Sequence, residues 1–132
     1  VRMLAGVTVA GRPVFLKIPY LGPRVTEQLA AYDRTLIVGV LGGAAGTTHD
    51  AFALLENAKR HGARVALFGR KITAAEHQLE FVRHLRAVAD EAISAAEAVR
   101  SYHGALARAG LQPHRGLADD LVLTSTATAY GG

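Results

Sequence analysis

Three short apolar runs recur along the chain, and each is followed by a stretch with helical character. The runs cover residues 14–18, 35–41 and 63–69. The middle run is almost continuously apolar, which is typical of a strand covered on both faces. Strands that alternate with helices at this spacing are typical of repeated β–α units. The pattern therefore predicts an α/β fold with a parallel sheet and right-handed crossovers.

Local signals set the boundaries of the first two helices. Pro23 lies at the start of a predicted helix over residues 24–31, where proline is tolerated. Thr47 is placed to cap the next helix, because Asp50 follows three residues later in a capping-box arrangement. Gly62 is a good C-terminal stop. We therefore expect the second helix to end at about residue 61.

Two more helices are predicted after the third strand. Capping-box spacing recurs in Thr73 with Glu76 and in Ser94 with Glu97. These pairs predict one helix to about residue 89 and another to about residue 110. The tail over residues 111–132 has an extended character, and the pattern leaves open whether it wraps around the domain or dangles.

Composition and charge exclude several classes of function. The chain has 132 residues, no cysteine and a net charge of +4, with basic residues scattered and not interleaved with aromatics. We therefore expect no nucleic-acid partner, no disulfide and no cysteine-ligated metal. The histidines show no metal-ligand spacing. No apolar run reaches the roughly 18 residues of a membrane span, and no signal peptide is recognisable. These features predict a cytoplasmic protein without a membrane partner.

The start of the chain indicates a larger fold. The sequence begins with Val1, inside a segment over residues 1–10 that has the pattern of a helix or loop. Three parallel strands alone would leave long apolar edges unpaired, which favours association with another copy. We therefore expect residues 1–132 to be a single domain that is part of something longer, with a possible homo-oligomer.

A glycine-rich turn follows the second predicted strand. Gly42, Gly43 and Gly46 lie between that strand and the helix that follows. Glycines let a ligand approach the backbone, and a helix start favours an anion such as phosphate. A flexible turn without a ligand is the alternative. Thr47 stands where a Walker loop needs lysine, and Leu41 stands where the dinucleotide fingerprint needs its first glycine.

Arg70 and Lys71 come directly after the third predicted strand. Basic residues at this point of a β–α–β unit hold the 2′-phosphate of NADP in dinucleotide-binding folds. The sequence therefore also allows an α/β domain that binds NADP or another phosphate-bearing ligand.

Lys17 lies within the first apolar run, in a strand that otherwise looks buried. Alternation places Phe15 and Lys17 on one face and Leu16 and Ile18 on the other. If both faces are covered, Lys17 is buried, which disfavours its charged form and leaves a nucleophilic amine that forms Schiff bases. A lysine that reaches water from the strand end is the alternative. Parallel α/β folds build their active sites at that end.

The segments FLKIPY (15–20), GVLGG (39–43) and ALFGRKI (66–72) together resemble the last three β–α units of the Schiff-base, or class I, aldolase superfamily. That superfamily includes deoxyribose-phosphate aldolase and class I fructose-bisphosphate aldolases. The resemblance covers residues 13–72. It implies the C-terminal part of a (β/α)8 barrel, with strands six to eight in that segment, helices over 73–110 and the tail over 111–132.

The resemblance also implies roles for individual residues. Lys17 corresponds to the Schiff-base lysine at the end of the sixth strand. Gly42 and Gly43 correspond to the phosphate loop after the seventh strand, and Gly69 and Arg70 to the one after the eighth. The implied activity is carbon–carbon lyase chemistry on a phosphorylated aldehyde or ketone sugar, without a cofactor or a metal.

Some positions depart from the family pattern. Deoxyribose-phosphate aldolase has a second lysine on its seventh strand, and residues 37–41 contain none. This favours the fructose-bisphosphate-like branch or another branch. Lys71 stands where the family often has asparagine. Tyr20 is a candidate proton donor beside Lys17, or a tyrosine that packs the loop. Besides an enzyme and a ligand-binding domain, a third possible class is a relative of the barrel enzymes that serves in assembly and has no catalytic activity.

Overall fold

The computed structural model describes residues 6–8, 11–43 and 45–125, and it contains a three-stranded parallel sheet. Strands β1 (Val14–Pro19), β2 (Leu36–Leu41) and β3 (Val65–Leu67) lie in the order β1-β2-β3. In the register, Lys17 is opposite Gly39, and Gly39 is opposite Val65. The predicted α/β class with a parallel sheet is confirmed. Strand β3 is shorter than the predicted 63–69.

Six helices accompany the strands in the described part of the chain. They are α1 (Pro23–Tyr32), α2 (Thr48–Arg60), α3 (Gly69–Thr73), α4 (Gln78–Ala89), α5 (Ala95–Arg108) and α6 (Leu117–Asp120). Most of the predicted segment over 1–10, and the tail beyond residue 125, lie outside the described residues.

Two of the three predicted capping boxes are confirmed. Thr47 caps α2 together with Asp50, and Ser94 caps α5 together with Glu97. In each box the side-chain oxygen at the cap accepts a hydrogen bond from the backbone N–H three residues on, and the acidic side chain accepts one from the cap residue's N–H. Gly62 follows α2 with φ of 101°, a conformation that favours glycine.

The capping box predicted at Thr73 and Glu76 is wrong. Thr73 ends the short helix α3, and its hydroxyl donates to the Arg70 carbonyl at 3.1 Å. Helix α4 is capped by His77, whose Nδ1 accepts from the Glu80 N–H at 3.3 Å. Glu76 does not cap because its carboxylate is bound to residues of α5 and of the tail. Its partner atoms are the Tyr102 hydroxyl and the His114 N–H.

The main hydrophobic core lies among helices α2, α4 and α5. Phe52, Phe81 and Tyr102 are almost fully buried in it. The ring centroids of Phe52 and Phe81 lie 5.2 Å apart, and Tyr102 meets Phe81 edge-on at 5.5 Å. Aromatic pairs at these separations add to the stabilisation from burial.

The two faces of the sheet differ in cover. Leu36, Val38 and Val40 of β2 are buried, and Val40 packs with Ala58 of α2. The opposite face, here called the open face, carries the side chains of residues 15, 17 and 19 of β1 and residues 37 and 41 of β2, with Gly39 between these two. On it, 48% of Phe15 is exposed.

The expected burial of Lys17 is wrong for this chain. Lys17 is exposed, because no described helix covers the open face on which it lies. The outer edges of β1 and β3 are also unpaired among the described residues. None of the described helices is long and apolar enough to cross a membrane.

Candidate functional site

The loop from β2 to α2 lies beside the residues that follow β3. The Gly42 N–H donates to the Leu67 carbonyl at 2.9 Å. Further along, the Lys71 ammonium donates to the Gly46 carbonyl at 2.8 Å. Because β2 and β3 are parallel neighbours, their C-terminal ends meet at one edge of the sheet. The structure thus brings together the two glycine-containing segments that the sequence singles out.

The glycines in these segments have different reasons to be glycine. A Cβ on Gly42 would lie 2.0 Å from the Phe68 ring, and one on Gly46 would lie 2.5 Å from an Asp50 oxygen. Gly46 also has φ of 90°. These two positions are therefore explained by packing and backbone conformation. Gly43 and Gly69 are exposed, and an added Cβ would meet no atom closer than 4.0 Å at either position, which leaves their backbone accessible.

The N-terminus of α2, the predicted anion site, binds carboxylates of this chain. The Thr47 N–H donates to Asp50 at 2.8 Å. The Thr48 N–H donates to Oδ1 of Asp120 at 2.7 Å. Asp120 is the last residue of α6 and is buried, and its other oxygen accepts from His103 Nε2 at 2.8 Å. Helix starts favour negative charge, and here Asp120 supplies it.

The segment after α6 is tied to the same helix start. The Thr47 hydroxyl donates to the Val122 carbonyl, and His49 Nδ1 donates to the Leu121 carbonyl, both at 2.7 Å. The Thr124 N–H and hydroxyl donate to Asp50 at 2.8 Å and 2.5 Å. Of the two possibilities for the tail, its described part wraps around the domain. The predicted extended character is wrong for part of it, because Leu117–Asp120 form α6.

These contacts change the pKa values of the two buried aspartates. Burial alone would raise the pKa of Asp50, but hydrogen bonds from Thr124, Ser125 and Thr47 outweigh it and lower the pKa. For Asp120, burial is likewise outweighed by hydrogen bonds from Thr48 and His103. Both carboxylates are therefore held in the charged form at neutral pH.

A cavity of about 270 Å³ lies between the β2–α2 loop, α3 and the tail. Its charged or titratable lining residues are Lys71, Glu76, His114, Arg115 and Asp120. Lys71 is half-buried. Burial, and then the positive charge of Arg115, lower its pKa, against the opposing effect of nearby carboxylates. This space is called the tail cavity.

Glu76 fixes the tail to the wall of the tail cavity. Its carboxylate accepts from the His114 N–H at 2.8 Å and from the Tyr102 hydroxyl at 3.0 Å. Burial would raise the pKa of Glu76, but these hydrogen bonds lower it. The sequence reading missed this role, because residues 76, 102 and 114 belong to three separate segments.

Lys17 and Tyr20 lie on opposite sides of the sheet. Lys17 is on the open face. Tyr20 is buried with Val40 and Ala58 on the helix side, and its hydroxyl has no hydrogen-bond partner among the described residues. Burial, with a smaller effect of Glu27, raises the pKa of Tyr20. This position fits the packing role that the sequence also allowed.

Arg70 is exposed, and the next residue, Lys71, contacts the Gly46 carbonyl. Gly46 belongs to the glycine-rich turn after β2, which is called the glycine loop. Arg115 is the second basic residue at that loop. The tail's basic pair, His114 and Arg115, and its acidic pair, Asp119 and Asp120, were the available signals for the tail cavity. Within the described residues, no group of three or more histidine or acidic side chains is placed to hold a metal ion.

Comparison with known protein families, with curated proteins and with solved structures finds no match for this chain.

Proposed function

We propose that this protein is a class I aldolase-like lyase whose three β–α units form one sector of a (β/α)8 barrel. The observation that carries the proposal is the sequential parallel order β1-β2-β3 with Lys17 on the open face. Neighbouring barrel strands follow this order, with helices outside and the other sheet face turned inward. Further strands of the barrel would cover the open face and both unpaired edges.

A doubly wound sheet is the competing architecture. One half of such a sheet also has three sequential strands with helices on one face. In that fold, however, the glycine-rich turn follows the first strand of the half. Here it follows β2, and Leu41 replaces the first glycine of the fingerprint. The barrel accounts for this order without an exception.

Lys17 is the proposed nucleophile. It lies opposite Gly39, shortly before the glycine loop begins, and so near the strand ends where barrel enzymes carry their sites. The neutral amine adds to a substrate carbonyl, and the carbinolamine that forms takes up a proton from solvent and loses water to give an iminium. The iminium withdraws electrons from the carbon–carbon bond that breaks. Further strands over the open face would exclude water from the reaction at Lys17.

The proposed substrate is a phosphorylated aldehyde or ketone sugar. Its phosphate would lie at the segments after β2 and β3, where Gly43 and Gly69 leave the backbone accessible. In the first of these segments, the absence of a side chain lets Gly42 pack against the Phe68 ring and Gly46 pack against Asp50. Arg70 remains the arginine that the resemblance assigns to the phosphate. Tyr20 has a packing role in this proposal.

The test is borohydride trapping. The full-length protein is incubated with small phosphorylated aldehydes and ketones, reduced, and mapped by peptide mass spectrometry. We expect the mass shift on Lys17, and its loss in Lys17→Arg. Lys59, exposed on α2, is the internal control lysine. Label on Lys71, or on no lysine across a broad carbonyl panel, would contradict the Schiff-base proposal.

The second candidate function is a phosphate-ligand-binding domain without Schiff-base chemistry. The observation in its favour is the tail cavity, where Lys71 and Arg115 both contact the glycine loop. This function tolerates Lys17→Met, whereas the aldolase function does not. Ligand binding that survives Lys17→Met, together with failed trapping, would select it.

A further inference from the structure

Two cationic side chains converge on a single backbone oxygen at the tail cavity. Lys71 Nζ donates to the Gly46 carbonyl at 2.8 Å, and Arg115 Nη1 donates to the same oxygen at 3.0 Å. Lys71 comes from α3 and Arg115 from the tail. Two like charges this close repel each other, and the lowered pKa of Lys71 reflects that repulsion in addition to burial.

Neither cation has an acidic ion-pair partner among the described residues. The two carboxylates of the cavity wall are engaged elsewhere. Glu76 accepts from Tyr102 and from the His114 N–H, and Asp120 accepts from Thr48 and His103. The ammonium and the guanidinium therefore keep donors available for a ligand beside the Gly46 carbonyl.

The position of Arg115 is fixed through the fold. Tyr102 is fully buried in the core, and its hydroxyl holds Glu76. Glu76 in turn holds the backbone of His114, the residue before Arg115. An arginine that serves only solubility does not need this chain of support, whereas a ligand-binding arginine does, because its position must be set before the ligand arrives.

We propose that the tail cavity binds the phosphate group of a phosphomonoester, with Lys71 and Arg115 as its cationic ligands. A phosphate accepts charge-assisted hydrogen bonds from both groups at once and offsets their mutual repulsion. The volume of about 270 Å³ holds a phosphate and a small attached group. Assignment of this phosphate to the lyase substrate rests on the proposed function. Phosphate binding itself does not.

The experiment is titration calorimetry of the full-length protein with glycerol phosphate, glycerol and inorganic phosphate. Glycerol phosphate has no carbonyl, so the result is independent of Lys17. The variants are Lys71→Gln, which retains a donor for the Gly46 carbonyl, and Arg115→Ala, which removes an exposed side chain. A third variant, Arg70→Ala, removes the exposed arginine that the resemblance assigns to the phosphate. Arg34→Gln is the matched control, because Arg34 is exposed before β2, at the other end of the sheet.

We expect glycerol phosphate to bind and glycerol not to bind. Each variant of the site should weaken glycerol phosphate binding about tenfold or more, as expected for loss of a hydrogen bond to a charged group. Arg34→Gln should bind like the unaltered protein. Binding should also weaken as salt is added. Thermal unfolding of each variant shows that a loss of binding is not a loss of folding.

Four outcomes would overturn the proposal. The first is no binding of glycerol phosphate up to about 10 mM. The second is equal binding by Lys71→Gln, Arg115→Ala and the unaltered protein. The third is binding of inorganic phosphate alone, which would make the site one for the free anion. The fourth is a loss of binding in Arg70→Ala without a loss in Lys71→Gln, which would place the phosphate on Arg70.

Discussion

The helical core and the open face of the sheet use the same kind of residue in opposite ways. Phe81 on α4 is 1% exposed and lies between the rings of Phe52 and Tyr102. Phe15 on β1 is 48% exposed and packs over Gly39, where an added Cβ would lie 2.6 Å from its ring. The helical region completes its own core. The sheet presents an apolar face that a further layer would stabilise.

Polar groups show the same contrast. Around the start of α2 and the tail, the buried carboxylates are matched by donors from distant segments. On the open face, the Lys17 ammonium is exposed, and its hydrogen bonds within the described part of the structure go to solvent. The tail therefore closes one side of the molecule, whereas no described segment pairs with the outer edges of β1 and β3 or covers the open face.

The largest expected effect comes from the two phenylalanines. In the 132-residue chain, Phe81→Ala should lower the free energy of unfolding by about 3–5 kcal/mol, because it leaves a cavity in a packed core. Phe15→Ala should cost about 1 kcal/mol or less, because half of the ring is already in water. Chemical denaturation of both variants measures the difference.

The same pair of variants sharpens the barrel proposal. If further strands cover the open face in a longer chain, Phe15→Ala should become much more costly there, while the cost of Phe81→Ala should not change. Equal costs for the two variants in the 132-residue chain would show that Phe15 is already covered, for example by a second copy.

Local signals were enough to predict much of the fold. The strand runs, the caps at Thr47 and Ser94, and the stop at Gly62 depend on residues a few positions apart. The predicted cap at Thr73 failed because Glu76 is bound by groups far along the chain. Short-range spacing cannot register such competition.

The candidate site was predictable only in part. The glycine turn and the basic residues after β3 identified the correct end of the sheet, because parallel strands gather their C-terminal ends there. Arg115 and Asp120 could not be placed, because nothing local shows where the tail crosses the start of α2. The burial of Lys17 was predicted from the apolar character of its strand, and the cover of a sheet face depends on elements elsewhere in the chain.

An intermediate effect is expected from acid. Asp50, Glu76 and Asp120 have lowered pKa values in the folded protein. Their contribution to stability is therefore fully present above the unfolded values of about 4 and is lost as the pH falls through the lower folded values. We expect the free energy of unfolding to be flat near pH 6–7 with respect to these groups and to decrease below about pH 4.

Asp120→Asn tests whether the tail contacts carry this effect. It should lower the free energy of unfolding by about 1–2 kcal/mol at neutral pH, because the buried hydrogen bonds are no longer made to a charged group. It should also reduce the loss of stability below about pH 4. Asp119→Asn is the matched control on the same short helix, since Asp119 is exposed. If Asp120→Asn and the unaltered protein lose stability equally as the pH falls, the acid sensitivity belongs to other carboxylates.

The smallest effect on stability is expected at Lys17. In the 132-residue chain, Lys17→Met should change the free energy of unfolding by no more than about 0.5 kcal/mol, because the side chain is exposed and has no ion-pair partner within the described part of the chain. Denaturation of this variant beside Arg34→Gln, a change at another exposed basic residue, measures it. A large loss for Lys17→Met alone would mean that Lys17 supports the fold. A near-zero change, combined with loss of borohydride trapping in the full-length protein, would separate chemistry from stability at this position and assign Lys17 to the reaction.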